Sequence, residues 1–128
     1  MQIFTEAGSS DPNQAAALDS VLSFRDPFQI VNPANLLNQN TDRNTRVTLF
    51  VSNLQLLPNE TAAVVQIHLI DSGGAGYDFS AEDVRTVPNL GFAQVTFRLP
   101  NNVASGVCTI TISAHVQSSN SVHIRIAA

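Results

Sequence analysis

Three histidines are the residues of this chain best suited to hold a metal ion or to exchange a proton. His68, His115 and His123 fall on the polar side of segments that alternate between apolar and polar residues, so we predict that they face solvent from β-strands. Three imidazoles in one sheet are a conceivable zinc site. Their spacing matches no known zinc signature. We therefore predict solvated histidines and assign no metal ligand.

Four acidic residues flank a glycine-rich turn, an arrangement that suggests calcium binding. They are Asp71, Asp78, Glu82 and Asp83, and the turn reads Asp-Ser-Gly-Gly-Ala-Gly over residues 71–76. Calcium takes six to eight oxygen ligands, which EF-hand loops supply from regularly spaced acids. That pattern is missing from the sequence, which therefore predicts ordinary turn carboxylates.

No serine or cysteine lies in a recognisable catalytic motif. The sequence has no Gly-x-Ser-x-Gly, and Ser113 shares a predicted face with His115 without the sharp turn that exposes a hydrolase nucleophile. Cys108 is on the apolar side of its segment, where a thiol packs as a small hydrophobe. The acids are too scattered for a glycosidase pair, and the glycines lack the lysine of a phosphate loop. We expect no catalytic residue, no cofactor and no enzymatic activity.

The elements that position these residues are short strands. Regular alternation predicts strands over residues 64–70, 93–99, 108–116 and 122–126, and further strands are expected over 17–24, 47–51, 77–79 and 84–87. Seven or eight strands without a convincing helix indicate an all-β fold, an antiparallel β-sandwich. We expect one domain over residues 15–128, preceded by a loose lead-in or linker over residues 1–14.

The alternation also predicts which side chains face the core. Two inward sets are Val47, Leu49 and Val51, and Cys108, Ile110, Ile112, Ala114 and Val116. A third is Leu18, Leu22 and Phe24. The last two strands should form a hairpin across residues 117–120, with Val122 opposite either Val116 or Ala114. The first register makes His115 and His123 direct neighbours, about 5 Å apart at Cβ.

Composition excludes two classes of partner. Only 12% of the residues are charged, the net charge is −4 and all six basic residues are arginines, so no basic stripe is available for nucleic acid. No apolar run approaches the ~20 residues of a membrane span. Residues 1–8 lack the basic and apolar regions of a signal peptide. We expect a piece of a longer exported chain, located outside the cell or on its surface.

The last third of the sequence carries a family resemblance. Phe-Arg-Leu-Pro over residues 97–100, Ser-Gly at 105–106, Cys-Thr-Ile-Thr-Ile over 108–112 and Ser-Asn-Ser-Val over 119–122 resemble the closing strands of bacterial IPT/TIG-type immunoglobulin-like domains. The resemblance implies an immunoglobulin-like sandwich. It also implies a spacer, adhesion or interaction module within a larger bacterial surface protein, with neighbouring domains or other surface proteins as partners.

The candidate contact residues lie in two loops and at one strand edge. We predict a long polar loop over residues 35–44 and a second contact region at the glycine turn, and the residues concerned are Asn38, Asn40, Asp42, Arg43, Asp71, Tyr77 and Asp78. The last strand should leave a free edge that permits self-association. Four aromatic residues outside the inward sets are expected to be covered by the N-terminal segment or to form a partner-facing patch: Phe4, Phe28, Phe50 and Phe92.

Two alternative functions are consistent with the predicted fold. A carbohydrate-binding module stacks sugars on exposed Trp or Tyr rings, whereas this chain has no Trp and a single tyrosine, Tyr77. A filament or pilus-like subunit adds a terminal segment as a strand to the next protomer. Residues 1–5 or 123–128 are the segments available for donation.

Overall fold

A computed structural model describes residues 1–6, 10–19, 28, 30, 44–54, 58–87 and 91–127. Its regular elements are ten strands and one 3₁₀ turn over Ala62–Val64. The strands are β1 Gln2–Ile3, β2 Ala17–Asp19, β3 Arg46–Ser52, β4 Gln66–Ile70, β5 Gly76–Ser80, β6 Asp83–Val87, β7 Phe92–Arg98, β8 Gly106–Ala114, β9 Gln117–Ser118 and β10 Val122–Ile126. No helix in this described part of the chain is long and apolar enough to cross a membrane.

The strands form two antiparallel sheets, which confirms the predicted all-β sandwich. The first sheet has the order β1-β3-β7-β6, with β2 also paired to β3. The second sheet has the order β10-β8-β4-β5, with β9 also paired to β8. Residues Ala81 and Glu82 carry the chain from β5 in the second sheet to β6 in the first, so the ends of both sheets meet on one side of the sandwich.

The core lies between the sheets and follows the predicted alternation. Val47, Leu49 and Val51 on β3 are fully buried, as are Ile110 and Ile112 on β8. Residues between them on each strand are only partly buried, because successive side chains of a strand point to opposite faces. Burial of one such aliphatic side chain contributes about 1.5–3 kcal/mol, so the interdigitated faces stabilise the fold.

The N-terminal segment belongs to the sandwich, which corrects the expectation of a loose lead-in. Ile3 is fully buried and pairs with Val51, and the Phe4 N–H donates to the Phe50 carbonyl at 2.8 Å. The outer backbone groups of Ile3 are bound by one side chain: Asn120 accepts from the Ile3 N–H at 2.6 Å and donates to its carbonyl at 3.2 Å. The amide of Asn120 therefore joins the first sheet to the strands of the second.

The edge of the last strand is covered, so it is not the free edge that we expected. Ala15 donates to the His123 carbonyl at 2.9 Å, and the His123 N–H donates to the Asn13 carbonyl at 2.7 Å. Further along, Phe28 donates to the Arg125 carbonyl at 2.8 Å. Both terminal segments thus pack on their own domain, against the expectation that either is available for donation.

The final hairpin turns earlier than predicted. His115 and Val116 form a two-residue turn with φ values of 51° and 65°, the type I′ geometry that suits the twist of a hairpin. Val116 is fully exposed rather than inward. Ala114 pairs with Gln117, and Val122 pairs with Ile110. Neither predicted register was correct.

One extra residue in the returning strand explains the register that forms. After the turn the pairing runs as far as Ser113 opposite Ser118 and resumes with Ile110 opposite Val122, which leaves a bulge over residues 119–121. Ser119 stabilises the bulge, since its N–H donates to the Ile112 carbonyl at 2.8 Å and its Oγ accepts from the Ile112 N–H at 2.9 Å.

Two other strands differ from expectation in detail. β4 begins at Gln66 rather than at residue 64, because Thr61 caps a 3₁₀ turn over Ala62–Val64. On β2 the buried residue is Ala17, whereas Leu18, which we expected to face the core, is only partly buried. Leu22 and Phe24, its predicted companions, lie outside the described residues.

Candidate functional site

The three histidines lie in separate places, each beside a different carboxylate. His68 on β4 contacts Asp78, His115 in the hairpin turn contacts Glu60, and His123 on β10 contacts Asp11. His68 and Asp78 are ten residues apart on consecutive strands, whereas the other two pairings join residues that are distant in sequence. Within the described residues no group of three His, Cys, Asp or Glu side chains is placed to hold a metal ion.

Asp71 is an internal anchor of the turn rather than an exposed contact residue. It is 6% exposed, and its carboxylate accepts from the N–H groups of Gly73, Ala75 and Ala104 at 2.9 to 3.1 Å. The Ala104 N–H, with those of the turn, lowers the pKa of the Asp71 carboxyl. Its role is to tie the β4–β5 turn to the loop before β8.

Tyr77 on β5 is half-buried beside this anchor. Its hydroxyl donates to the Asn102 carbonyl at 3.0 Å. Burial, with the nearby Asp71 charge, raises the pKa of the Tyr77 hydroxyl. The ring is therefore held against the core cluster and does not project as a free stacking platform.

Of the remaining predicted contact residues, four lie outside the described part of the chain and one lies within it. Asn38, Asn40, Asp42 and Arg43 lie outside the described residues. Asp78 lies within them, exposed at the centre of β5, where it contacts His68.

His68, Asp78 and Ser113 form a continuous hydrogen-bonded row across three strands of the second sheet. Asp78 on β5 is directly opposite His68 on β4, and its Oδ1 lies 2.5 Å from His68 Nδ1. Ser113 on β8 lies two residue pairs along the ladder, opposite Gln66, and its Oγ lies 3.0 Å from His68 Nε2. We call these three side chains the His68 relay. A carboxylate on one ring nitrogen and a hydroxyl on the other is the order that activates serine nucleophiles.

The His68 relay is open to water. The side chains of His68 and Asp78 are 45% and 76% exposed. The neighbouring Gln66 amide donates to the Ala63 carbonyl at 3.0 Å and to Ser80 Oγ at 2.9 Å, so both of its N–H groups are in use. Backbone N–H groups of a sheet lie in its plane, so the described strands around Ser113 provide no backbone oxyanion hole above it.

The alternation correctly predicted a polar face for His68 and Ser113, but it did not predict the contacts of the His68 relay. Ser113 was predicted to share its face with His115, which lies in the hairpin turn instead. A signal for the true partner exists only in the strand order β5-β4-β8, which the sequence does not contain.

The outer margin of β5 is open. Among the described residues β5 pairs with β4 alone. The Asp71 N–H donates to the Ala75 carbonyl at 3.0 Å, and the Ala81 N–H donates to the Val65 carbonyl at 2.9 Å. These two bonds determine which residue pairs of the β4–β5 ladder are hydrogen-bonded to each other. By the alternation of antiparallel pairs, Gly76, Asp78 and Ser80 then direct their N–H and C=O groups away from β4.

A groove of about 530 Å³ runs beside this margin. Its walls come from β5, from the end of β7 and from the residues that join neighbouring strands: Gly76, Tyr77, Asp78, Phe79, Ser80, Glu82, Arg98 and Pro100. Phe79 also contacts the buried Phe97, with ring centroids 5.8 Å apart. The groove thus combines an apolar floor with a charged rim and a strand margin. We call the margin and the groove together the β5 groove.

Three phenylalanines cluster on the outer face of the first sheet. The Phe92 ring lies 5.7 Å from that of Phe4 and 6.2 Å from that of Phe50, between ring centroids. Phe4, from the N-terminal segment, is 40% exposed and covers the other two in part. Phe28 is separate and buried, at 3% exposure, beside β10.

Comparisons with known proteins give no relative from which a function could be inferred. No family model, no curated protein and no solved structure matches the chain.

Proposed function

We propose that this domain is a non-enzymatic structural and interaction module of an extracellular or cell-surface bacterial protein. In that role an immunoglobulin-like sandwich spaces its neighbours and holds a partner in the β5 groove. The two-sheet fold and the resemblance of residues 92–127 to IPT/TIG-type domains support this proposal. The single observation that carries it is the contrast between the covered margin of β10 and the open margin of β5.

The partner that fits the β5 groove is an extended peptide segment. Gly76, Asp78 and Ser80 offer backbone donors and acceptors at the spacing that a further strand requires. The side chains of such a strand alternate, so every second one enters the groove against Phe79 and Pro100. We therefore commit to a segment from a neighbouring domain or another surface protein, with apolar residues at alternate positions.

Charge argues against a second copy of the chain in this groove. The symmetric antiparallel pairing of two β5 strands centred on Asp78 places the two Asp78 carboxylates opposite each other. Like charges directly opposite in a sheet are destabilising. A partner with a basic residue at that position gains an ion pair instead, although its rim contribution is under about 1 kcal/mol.

The experiment is a selection of linear peptides displayed on phage against the whole chain, followed by titration of the selected peptides. We expect enrichment of apolar residues at alternate positions. Ser80→Pro removes one outward N–H while leaving the ladder to β4 intact, and should weaken binding about tenfold. Ser80→Ala is the matched control, since it loses the same hydroxyl but keeps the N–H.

Three outcomes would overturn this proposal. The first is selection without an alternating pattern, and the second is equal binding by the Ser80→Pro and Ser80→Ala variants. The third is a dimer in sedimentation experiments that Ser80→Pro dissociates, because it would assign the β5 groove to a second copy of the chain.

A further inference from the structure

We propose that Ser113 is a covalent acyl acceptor, a modification site at which the His68–Asp78 pair activates the hydroxyl toward an activated ester or thioester. This goes beyond the β5 groove: it shares Asp78 with the groove but rests on the contacts among the His68, Asp78 and Ser113 side chains. Ser113 Oγ lies 3.0 Å from His68 Nε2, and Asp78 Oδ1 lies on the opposite ring nitrogen, Nδ1, at 2.5 Å.

The partners of His68 determine where its proton lies. An ionised carboxylate only accepts hydrogen bonds, so the Asp78 contact requires a proton on Nδ1. The neutral ring then has its lone pair on Nε2, where it accepts from the Ser113 hydroxyl. This is the tautomer in which His68 removes a proton from Ser113, and Asp78 is the positioning residue that selects it.

The reaction is balanced with an ester as the only co-reactant. Ser113 Oγ forms a bond to the carbonyl carbon while its proton passes to His68 Nε2. The bond from that carbon to the leaving oxygen or sulfur then breaks, and the proton passes from His68 to the leaving group. The products are an acylated Ser113 and a free alcohol or thiol.

The open face predicts that the reaction stops after acylation. Loss of one oxyanion donor costs an enzyme roughly 10²- to 10³-fold in rate. An activated ester tolerates that loss because its leaving group departs readily. The ester on Ser113 has a poor leaving group. Both N–H groups of the Gln66 amide already have acceptors, so this amide does not stabilise the oxyanion that forms during ester hydrolysis. We therefore expect a stable modification and no sustained turnover.

Few other groups of the chain compete for an acyl donor. The sequence has no lysine. Cys108 is fully buried, and burial raises the pKa of its thiol to about 11. Other acyl acceptors are the α-amino group, the Tyr77 hydroxyl and the three histidine rings, and each can be distinguished from Ser113 by mass spectrometry.

The test uses p-nitrophenyl acetate as the donor. We expect a burst of roughly one equivalent of p-nitrophenolate per chain, a matching gain of one acetyl group in the intact mass, and its localisation to Ser113. Ser113→Ala should abolish this label. His68→Gln should slow it by about 10²-fold or more.

Two further variants separate activation from structure. Asp78→Asn should slow labelling while Asp78→Glu restores most of the rate, because only a carboxylate selects the reactive tautomer. Ser118→Ala is the matched control, since Ser118 lies opposite Ser113 in the adjacent strand and has no contact with His68 in the described structure. Thermal unfolding should be similar in all of these exposed-site variants.

The proposal is overturned if Ser113→Ala or His68→Gln labels at the wild-type rate, or if the acetyl group is found only at the N-terminus. Labelling of Ser118 to the same extent as Ser113 would also overturn it, since an unactivated hydroxyl would then suffice. Steady release of p-nitrophenolate that depends on Ser113 would contradict the stable ester and the non-enzymatic function together.

Discussion

The two lateral sides of the sandwich are built in opposite ways. On one side, residues of the N-terminal segment pair with both sheets: Ile3 pairs with β3 and is held by Asn120, while Asn13 and Ala15 bond to β10. On the other side, the chain crosses directly from β5 to β6, and both strands end their sheets. We call these the closed side and the open side. In the described structure, backbone pairing thus covers the sheet edges on the closed side but not those on the open side.

The open side is protected by charge instead of by backbone pairing. Asp78, Asp83 and Arg85 lie on its two strands, and Glu82 lies in the connection between them. Charged residues on edge strands oppose indiscriminate pairing between chains. They leave backbone groups accessible to a partner with complementary charge, which is why we assign the interaction to this side.

The largest expected effect comes from removing the apolar contact of the closed side. Ile3→Ala should lower the free energy of unfolding by about 2–5 kcal/mol, because Ile3 is fully buried and its loss leaves a cavity. Val84→Ala is the counterpart on the open side and should cost less, since Val84 is only partly buried. Urea denaturation of both variants measures the difference, and equal losses would contradict a structural role for residues 1–6.

An intermediate effect is expected from the Asn120 amide. Asn120→Ala leaves the Ile3 N–H and carbonyl without their partner and should cost about 1–3 kcal/mol. The control is Gln117→Ala, an exposed position on β9, which should be within about 0.5 kcal/mol of wild type. Faster amide exchange at Ile3 in the Asn120 variant would locate the loss; unchanged exchange would show that another group holds the margin.

The strands and their faces were predictable because both follow from local alternation. Val47, Leu49 and Val51 were assigned to the core correctly, since a single buried face imposes a period of two on the sequence. The turn at His115 and Val116 was not predictable, because Val116 is β-branched and such residues rarely adopt the left-handed conformation that it has here.

The contacts of the closed side and of the His68 relay depend on strand order rather than on local alternation. Ile3 meets Asn120 across more than a hundred residues, and Asn120 carries only the ordinary signature of a turn. Likewise, the sequence places Asp78 and Ser113 in the same type of environment without showing that His68 lies between them. Strand order brings these groups together, and strand order is set by packing of the whole core.

The smallest expected effect distinguishes the two sides by pH. Asp11 on the closed side has its pKa lowered, first by the hydrogen bond to His123 and then by the Asn13 N–H. A lowered folded-state pKa means that this carboxylate stabilises the fold above its unfolded pKa of about 3.9, and that the contribution is lost as pH falls through the lower folded value. Asp11→Asn should therefore make the acid decline of stability shallower.

On the open side, backbone N–H groups lower the pKa of Asp71, so this carboxylate also stabilises the fold above its unfolded pKa. Asp71 is nearly fully buried whereas the Asp11 side chain is 21% exposed, so Asp71→Asn should be the more destabilising of the two at neutral pH. Urea midpoints measured between pH 2 and 7 compare the variants. If Asp11→Asn left the acid slope of the wild type unchanged, the His123 contact would not be maintained in solution.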